Sequence, residues 1–454
     1  MIAKLQNWVA PIYLALCLLL GGSVQGIWAA MVLQILGIVI LGWASFGSQR
    51  GRPHRGETVL RWIVVAAIGF VFLQLVPLPA SLWESLPGRS LLADGFRTLG
   101  LSAEAMPMSL SPYDTLTTLP TLIPPIAMLV AVLRLSESNA VRLAATLVGT
   151  TLLAVMLGVL QSSMSDPDSS VYLYPISNFG TAVGFFANSN HMATLLLVAI
   201  PMIMALGATI LESSKDSRKK SAAIALTAAG VGVVLVGLAL NRSFAGYGLA
   251  VPVALASAAT ILAVKSRMLR RAAAGLAVAA LLGVAVLIAS PLGNKLMAGD
   301  DSVSISSRGE ILETTKSAID EFGLIGTGLG TYSKVYPLFE QPSKVDRTFI
   351  NHAHNDYAEI LLELGFAGVL LIVIFMLWWL ARVRDVVTTP SADHFAMAST
   401  IATATILIHS AVDYPLRTAA IASVFAMCLG LMMASRRIAR GEDDLRPTRH
   451  LVID

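Results

Sequence analysis

The stretch from Asn351 to Gly368, NHAHNDYAEILLELGFAG, gathers groups that bind or move protons. It holds His352, His354, Asn355, Tyr357 and Glu359, then runs directly into the apolar VLLIVIFMLWWL. A neutral imidazole can take a proton from a weak nucleophile such as an alcohol, which is the task of a general base. With Asn351 as a helix N-cap, His354 falls in the first helical turn. There the positive end of the helix dipole disfavours the imidazolium. A carboxylate such as Glu359 inside an apolar span is costly and points into a protein interior or a wet cavity. The rival reading is structural, with these polar groups capping and packing the helix end.

Composition defines the elements that must hold such residues. Of 454 residues, 56% are hydrophobic and 13% are charged, about half the charge of an ordinary soluble domain. The apolar runs predict about twelve membrane helices, at roughly 8–23, 27–44, 59–77, 115–133, 141–160, 191–210, 222–240, 246–264, 272–290, 354–380, 394–412 and 417–435. No small-x-small cleavage site follows the first, so it is expected to be retained. No internal repeat and no soluble domain is visible; the chain, 1–454, reads as a single membrane domain. Cys17 and Cys428 lie far apart in apolar runs and read as buried small hydrophobes.

Lys and Arg in short loops set the orientation. SQRGRPHRGE, LRLSESNAVR, ESSKDSRKK, KSRMLRR, ARVRD and ASRRIARGEDDLRPTR alternate as cytoplasmic segments, which places both termini in the cytoplasm. Arg89, Arg97, Arg242, Lys295, Arg308, Lys316, Lys334, Lys344, Arg347 and Arg417 then fall on the outer side. Topology does not explain them, so each is a candidate for function or a local partner. Arg89 and Arg97 are expected to be solvated in a long polar loop. The largest outer loop, about 291–353, contains SSRGEILETTKSAIDEFGLIGTGLGTY. Its first part predicts an amphipathic helix with Ile311, Leu312, Thr315 and Ile319 on one face. Gly326, Gly328 and Gly330 superficially resemble a phosphate loop. Without a preceding strand or a following Lys-Ser/Thr pair, a tight turn is favoured. His409 and Asp413, one turn apart, read as a structural pair, and His191, at a span start, reads as either a satisfied or a functional histidine.

His354-Asn355, nine residues, then Gly365-Phe-Ala-Gly368 resembles the signature of the O-antigen ligase/polymerase superfamily, bacterial polytopic membrane glycosyltransferases. FFANSNHMATLLL, with Asn188 and Asn190, is similar to a stretch that leads into a span in that family. LNRSFAGYG, SSRGEI followed by GTGLGTY, and LIHSAVDYPLRTAA resemble its other elements. Val369 stands where the family often has Thr, and Ile311 and Leu312 where a Trp often follows the loop arginine. The resemblance covers about 180–435; residues 1–180 match only as spans.

The resemblance implies an all-α polytopic protein of the bacterial inner membrane. Its active site would lie on the periplasmic face, in or beside a large, partly helical loop. It implies transfer of a glycan from undecaprenyl diphosphate to an acceptor sugar hydroxyl, on lipid A core or another glycan, with inversion and without a metal or other cofactor. His354 would be the base, and Arg242 and Arg308 would bind the diphosphate. Asn355, Tyr357, Glu359, His352, Asn188, Asn190, Arg347 and Arg417 would support them. The expected partners are the lipid-linked donor, the acceptor and membrane lipid, with no nucleic acid. Within the same chemistry an O-antigen or exopolysaccharide polymerase, or a protein O-oligosaccharyltransferase, fits equally. In a different class, a flippase or secondary transporter would concentrate its charges near the bilayer midplane, often in two related halves.

Overall fold

The computed structural model describes residues 2–46, 55–102, 104–135, 140–164, 166, 169–263, 302–345, 349–389 and 393–444. These residues are almost wholly helical. The strands among them are a two-residue ribbon, β1 (Pro77–Leu78) paired antiparallel with β2 (Met106–Pro107). Among the described residues, seven helices are long and apolar enough to cross a membrane: α2 (Ile27–Phe46), α3 (Arg55–Gln74), the broken Pro112–Arg134, α8 (Ala140–Ser162), α9 (Ser189–Ser213), α10 (Ser217–Asn241) and α14 (Asp356–Thr388). Pro112–Arg134 comprises α6 (Pro112–Thr118), a 3-10 turn at Leu119–Leu122 and α7 (Ile123–Val130). Shorter apolar segments lie in α1 (Ile2–Leu20), α11 (Phe244–Ala263), α15 (His394–His409) and α16 (Ala419–Asp444). The chain is a multi-pass membrane protein. Each expected span coincides with one of these helices, apart from 272–290, which lies outside the described residues.

The centre of the bundle is α9. Of its most apolar window 72% is buried, against 17–44% for the other six spans. Helices α8, α10, α11 and α15 surround it, and α16 packs on α15, α7 and α1. The core runs through Leu195, Leu196, Val198, Met202, Ala402, Ile406, Ile421 and Met427, each fully buried. Cys17 and Cys428 are buried and unpaired, as expected.

The interhelical hydrogen bonds show which helix ends meet. Asn241 at the end of α10 donates to Ser189 O at the start of α9. Asp356 N at the start of α14 donates to Ser410 O just past α15, and Ala420 N in α16 donates to Gly21 O just past α1. At the opposite end, His394 Nε2 meets Glu212 Oε2 at 3.0 Å. Antiparallel neighbours therefore bring the starts of α9, α14 and α16 and the ends of α10 and α15 to one end, where the long connections also lie.

Those connections contain α4 (Ala80–Trp83), α5 (Ser90–Thr98), α12 (Ser302–Phe322) and α13 (Tyr332–Val335). The buried face of α12 is Ile311, Thr315, Ala318 and Phe322. Leu312, expected on that face, is 44% exposed, because the helical phase follows the i, i+4, i+7, i+11 row. Ile311, Ala318 and Phe322 cluster with Ala353 and Leu362, which seats α12 against the start of α14. Arg89, expected in solvent, is fully buried. It donates to Met108 O and Gly326 O and lies against Trp83 and Phe322. Burial pushes its guanidinium down to about 10. Arg97 is exposed and paired with Asp94, in line with expectation.

Helix α14 is broken at Gly365, whose φ of 59° and ψ of −148° leave the helical region. The break frees carbonyls that a continuous helix would use, and buried carbonyls need donors. The glycine turn supplies them. Thr327 N donates to Leu362 O, Gly328 N to Glu363 O, and Gln74 Nε2 also to Glu363 O. Gly326, Gly328 and Gly330 all have positive φ, so the run is a tight turn, as the sequence favoured. A Cβ on Gly365 would sit 2.7 Å from the backbone carbon of Ile325. This region of backbone is essentially restricted to glycine, and occupying it otherwise costs about 1–3 kcal/mol before any clash. Gly365→Ala is therefore expected to lower the melting temperature of the detergent-solubilised protein and its yield from membranes. An unchanged melt would contradict the docking described here.

Candidate active site

The end of the bundle that carries the long loops holds two buried ionic clusters. The first is centred on Asp413, in the turn between α15 and α16. Its Oδ1 accepts Tyr414 N at 2.7 Å and lies 3.7 Å from His191 Nε2 and 3.8 Å from His354 Nδ1. Its Oδ2 lies 3.6 Å from Arg308 Nη2. The partners come from the first turn of α9, the turn before α14, and α12. Asp413 Oδ2, His191 Nε2 and His354 Nδ1 are buried without a hydrogen-bond partner in the chain. Buried polar groups are normally hydrogen-bonded, so unmatched atoms gathered at one point mark this cluster as a candidate site.

The second cluster is centred on Arg417. Its Nη1 meets Glu363 Oε2 at 3.0 Å, its Nη2 meets Glu359 Oε1 at 3.4 Å, and its Nε meets Asp356 Oδ1 at 3.6 Å. His352 Nδ1 joins Glu359 Oε1 at 2.8 Å. Tyr414 lies between the clusters, with its ring 4.3 Å from that of His352, 5.0 Å from His354 and 4.9 Å from His191.

His354 is not in the first helical turn. Asn355 is the N-cap, accepting from Tyr357 N and Ala358 N, and the helix starts at Asp356. Asn351 lies too far upstream to cap it. His354 instead occupies a left-handed turn with φ 49°. Its neutrality therefore comes from burial rather than the helix dipole. Burial pushes the imidazole down to about 4; Asp413 pulls the other way, while Arg308, His352 and His191 reinforce the fall. Burial also opposes the charge on Asp413. Even so, His191, Arg308 and His354 together hold its carboxyl well below the usual carboxylate range. A proton on His354 Nδ1 directed at this carboxylate leaves Nε2 as the acceptor, which is the tautomer a base requires.

The structure brings together most of the residues singled out in the sequence. Arg308 and His354 converge on Asp413. Asn355 also donates to Ala411 O, and Tyr357 OH donates to Leu407 O, so both fasten α14 to α15. Asn188 caps α9 through Asn190 N and donates to Tyr414 OH at 3.5 Å. Asn190 Oδ1 accepts from Ser243 Oγ. Arg242 is exposed at the end of α10, with φ 59°, and pairs with no acid among the described residues. It lies beside the Asn190–Ser243 contact rather than on Asp413. Arg347 lies outside the described residues. Glu359 bonds His352 and Ala353 N, in the residues just before His354.

Sequence reasoning undervalued Asp413, His191 and Tyr414. The expected His409–Asp413 pair is not formed through their side chains: His409 Nδ1 bonds Thr194 Oγ1 at 2.8 Å, while Asp413 turns to the cations. The available signal was an acid and a histidine placed at the ends of apolar spans.

A base with so low a titration remains neutral through ordinary pH. If His354 is the base, turnover should be flat from neutral pH down to about 5 and fall only as pH passes about 4. An acid limb at the ordinary imidazole value in a pH profile of transfer would contradict this environment.

Residues 217–373 match the family model of O-antigen ligase. That segment takes in the turn of Arg242, the helix of Arg308, the turn of His354 and the Gly365 break. His191, Asp413 and Arg417 lie outside it. No curated protein matches the chain. The match over 217–373 supports the O-antigen ligase superfamily for that segment.

Proposed function

We propose that this protein is a membrane glycosyltransferase of the ligase type. It takes a glycan from undecaprenyl diphosphate and passes it to an acceptor sugar hydroxyl at the periplasmic face of the bacterial inner membrane. The observation that carries the reading is the convergence of His354 and Arg308 on buried Asp413. The acceptor O–H gives its proton to His354 Nε2 as its oxygen attacks the anomeric carbon. The bond from that carbon to the diphosphate oxygen breaks, and the pair of electrons leaves with the diphosphate. Arg308 is a fork donor placed to receive that charge, and Arg242 serves the same anion from the end of α10. Asp413 orients His354 and stabilises the imidazolium. A single displacement inverts the anomeric centre. The guanidinium groups supply the positive charge that a divalent metal would bring elsewhere.

The same geometry serves a polymerase, whose acceptor is another lipid-linked glycan, or a protein O-oligosaccharyltransferase. The family match favours this chemistry over a transporter, as does the siting of the charges at one end of the bundle.

The test supplies purified protein with an undecaprenyl-diphosphate glycan and, in turn, lipid A core, a lipid-linked glycan and an acceptor protein. Transfer to lipid A core in the presence of chelator is expected. A lengthened lipid-linked polymer or glycosylated protein would reassign the acceptor, and strict dependence on added Mg²⁺ or Mn²⁺ would overturn the metal-free mechanism. His354→Ala should lower transfer about 10²–10⁴-fold while donor binding persists. Arg308→Lys and Arg242→Lys should lose turnover because they keep the charge but not the planar fork. Near-normal transfer by all three variants, at wild-type membrane abundance, would refute these roles.

The orientation has its own check. Cysteines introduced in the 169–188 and 323–345 loops should react with an impermeant reagent supplied from the periplasmic side, and those at 214–216 should not. The reverse pattern would place the site on the cytoplasmic face.

A further inference from the structure

Asp356, Glu359 and Glu363 are spaced i, i+3, i+7, so they share one face of the first turns of α14. All three are at least 98% buried. Buried carboxylates this close are tolerated only with a cation among them. Arg417 is that cation: its three guanidinium nitrogens face the three acids at 3.0–3.6 Å. A guanidinium surrounded by three carboxylates has little attraction left for an anionic substrate. This argues against a direct substrate contact for Arg417, which the resemblance implied only as a supporting residue.

What Arg417 holds is more specific. Glu359 uses both oxygens on the residues just before His354: Oε1 on His352 Nδ1 at 2.8 Å and Oε2 on Ala353 N at 2.9 Å. His354 itself has φ 49°, a conformation that persists in a non-glycine residue only when the surroundings over-determine it. Glu363 reaches the other way. Its Oε1 accepts Gly330 N at 2.9 Å, and its backbone O accepts Gly328 N and Gln74 Nε2. That glycine turn follows directly on α12, the helix of Arg308.

We infer that Arg417 is a positioning residue: through Glu359 it fixes the turn that presents His354, and through Glu363 it fixes the glycine turn behind the helix that carries Arg308. The inference rests on the proposed roles of His354 and Arg308. One guanidinium thereby sets the base and the diphosphate ligand relative to each other, without touching substrate.

The two arms predict different kinetic signatures. His354 faces Asp413 and Tyr414 from the α15–α16 turn, Arg308 from α12, His191 from α9 and His352 from its own loop. Glu359→Gln keeps the shape but removes the charge that holds the turn. The loosened turn admits water to His354, so the acid limb of turnover should move up from about 4 towards the ordinary imidazole range. Misplacement of the base by about 1 Å should lower the donor-saturated rate about 10²-fold. Glu363→Gln should instead raise the KM for donor and leave the limb unmoved. Arg417→Lys, which keeps a charge but loses the fork, should show both effects.

The assay uses full-length protein in nanodiscs, with membrane abundance and thermal melting measured alongside. Normal kinetics in both Gln variants would overturn the inference. So would a lower rate with limb and KM unchanged, or failure of both Gln variants to accumulate, which would assign the acids to folding alone. His354→Ala is run in parallel. If it transfers normally, the proposed function falls and the inference with it. If it loses transfer while Glu359→Gln and Glu363→Gln stay normal, the inference alone falls.

Discussion

A single carboxylate organises this end of the protein. Asp413 is almost entirely buried, and a buried charge is sustained only by opposite charge or hydrogen bonds. Its surroundings supply both from four separate segments: a backbone N–H from its own turn, imidazoles from α9 and from the turn before α14, and a guanidinium from α12. No pair of these segments is adjacent in sequence. The need to satisfy Asp413 therefore draws distant parts of the chain to one point. The ion contacts of 3.6–3.8 Å are longer than hydrogen bonds. In the proposed active site, contacts of this length would tighten when substrate binds.

The His-Asn…Gly-x-x-Gly signature divides into two physical tasks. Its first half is local: His354, the proposed base, faces Asp413, and Asn355 ends the turn by capping α14. Its second half concerns backbone. Gly365 breaks α14, and the carbonyls released there are satisfied by the glycine turn of residues 326–330. The fixed distance between the halves is the length of helix separating the proposed base from the docking point of the outer loop. Glu363, two residues before the break, belongs to both tasks, since its side chain faces Arg417 and its carbonyl receives the glycine turn.

Much of the helical architecture was legible because a membrane span writes itself in long apolar runs, and the lengths of α2, α8, α9 and α10 follow from those runs. The principal candidates His354 and Arg308 were legible as polar groups in places that topology does not explain. What the sequence did not disclose depended on turns and tertiary partners. The cap at Asn355 rather than Asn351 turns on two residues of backbone. The left-handed conformation of His354 has no composition signal. Arg89 looked solvated because its loop is polar, yet its partners include the carbonyl of Gly326 and the ring of Phe322, far along the chain. Asp413 looked like the partner of His409 because helical spacing suggests it, whereas the chain has already left the helix at Ser410.

The enclosure of α9 has a consequence for biogenesis. Its neighbours are made both before it (α8) and after it (α10, α11 and α15). Its surround is therefore incomplete until residues 394–409 have been synthesised. Throughout that interval its flanks lack the partners that, in the finished protein, bury 72% of its most apolar window. Its apolar character, with a mean hydropathy of 2.4 over its best window, is thus a requirement of insertion and waiting as much as of final packing. Polar interior positions on α9 are confined to the end that carries Asn190, His191 and Thr194, where a half-assembled chain still meets water.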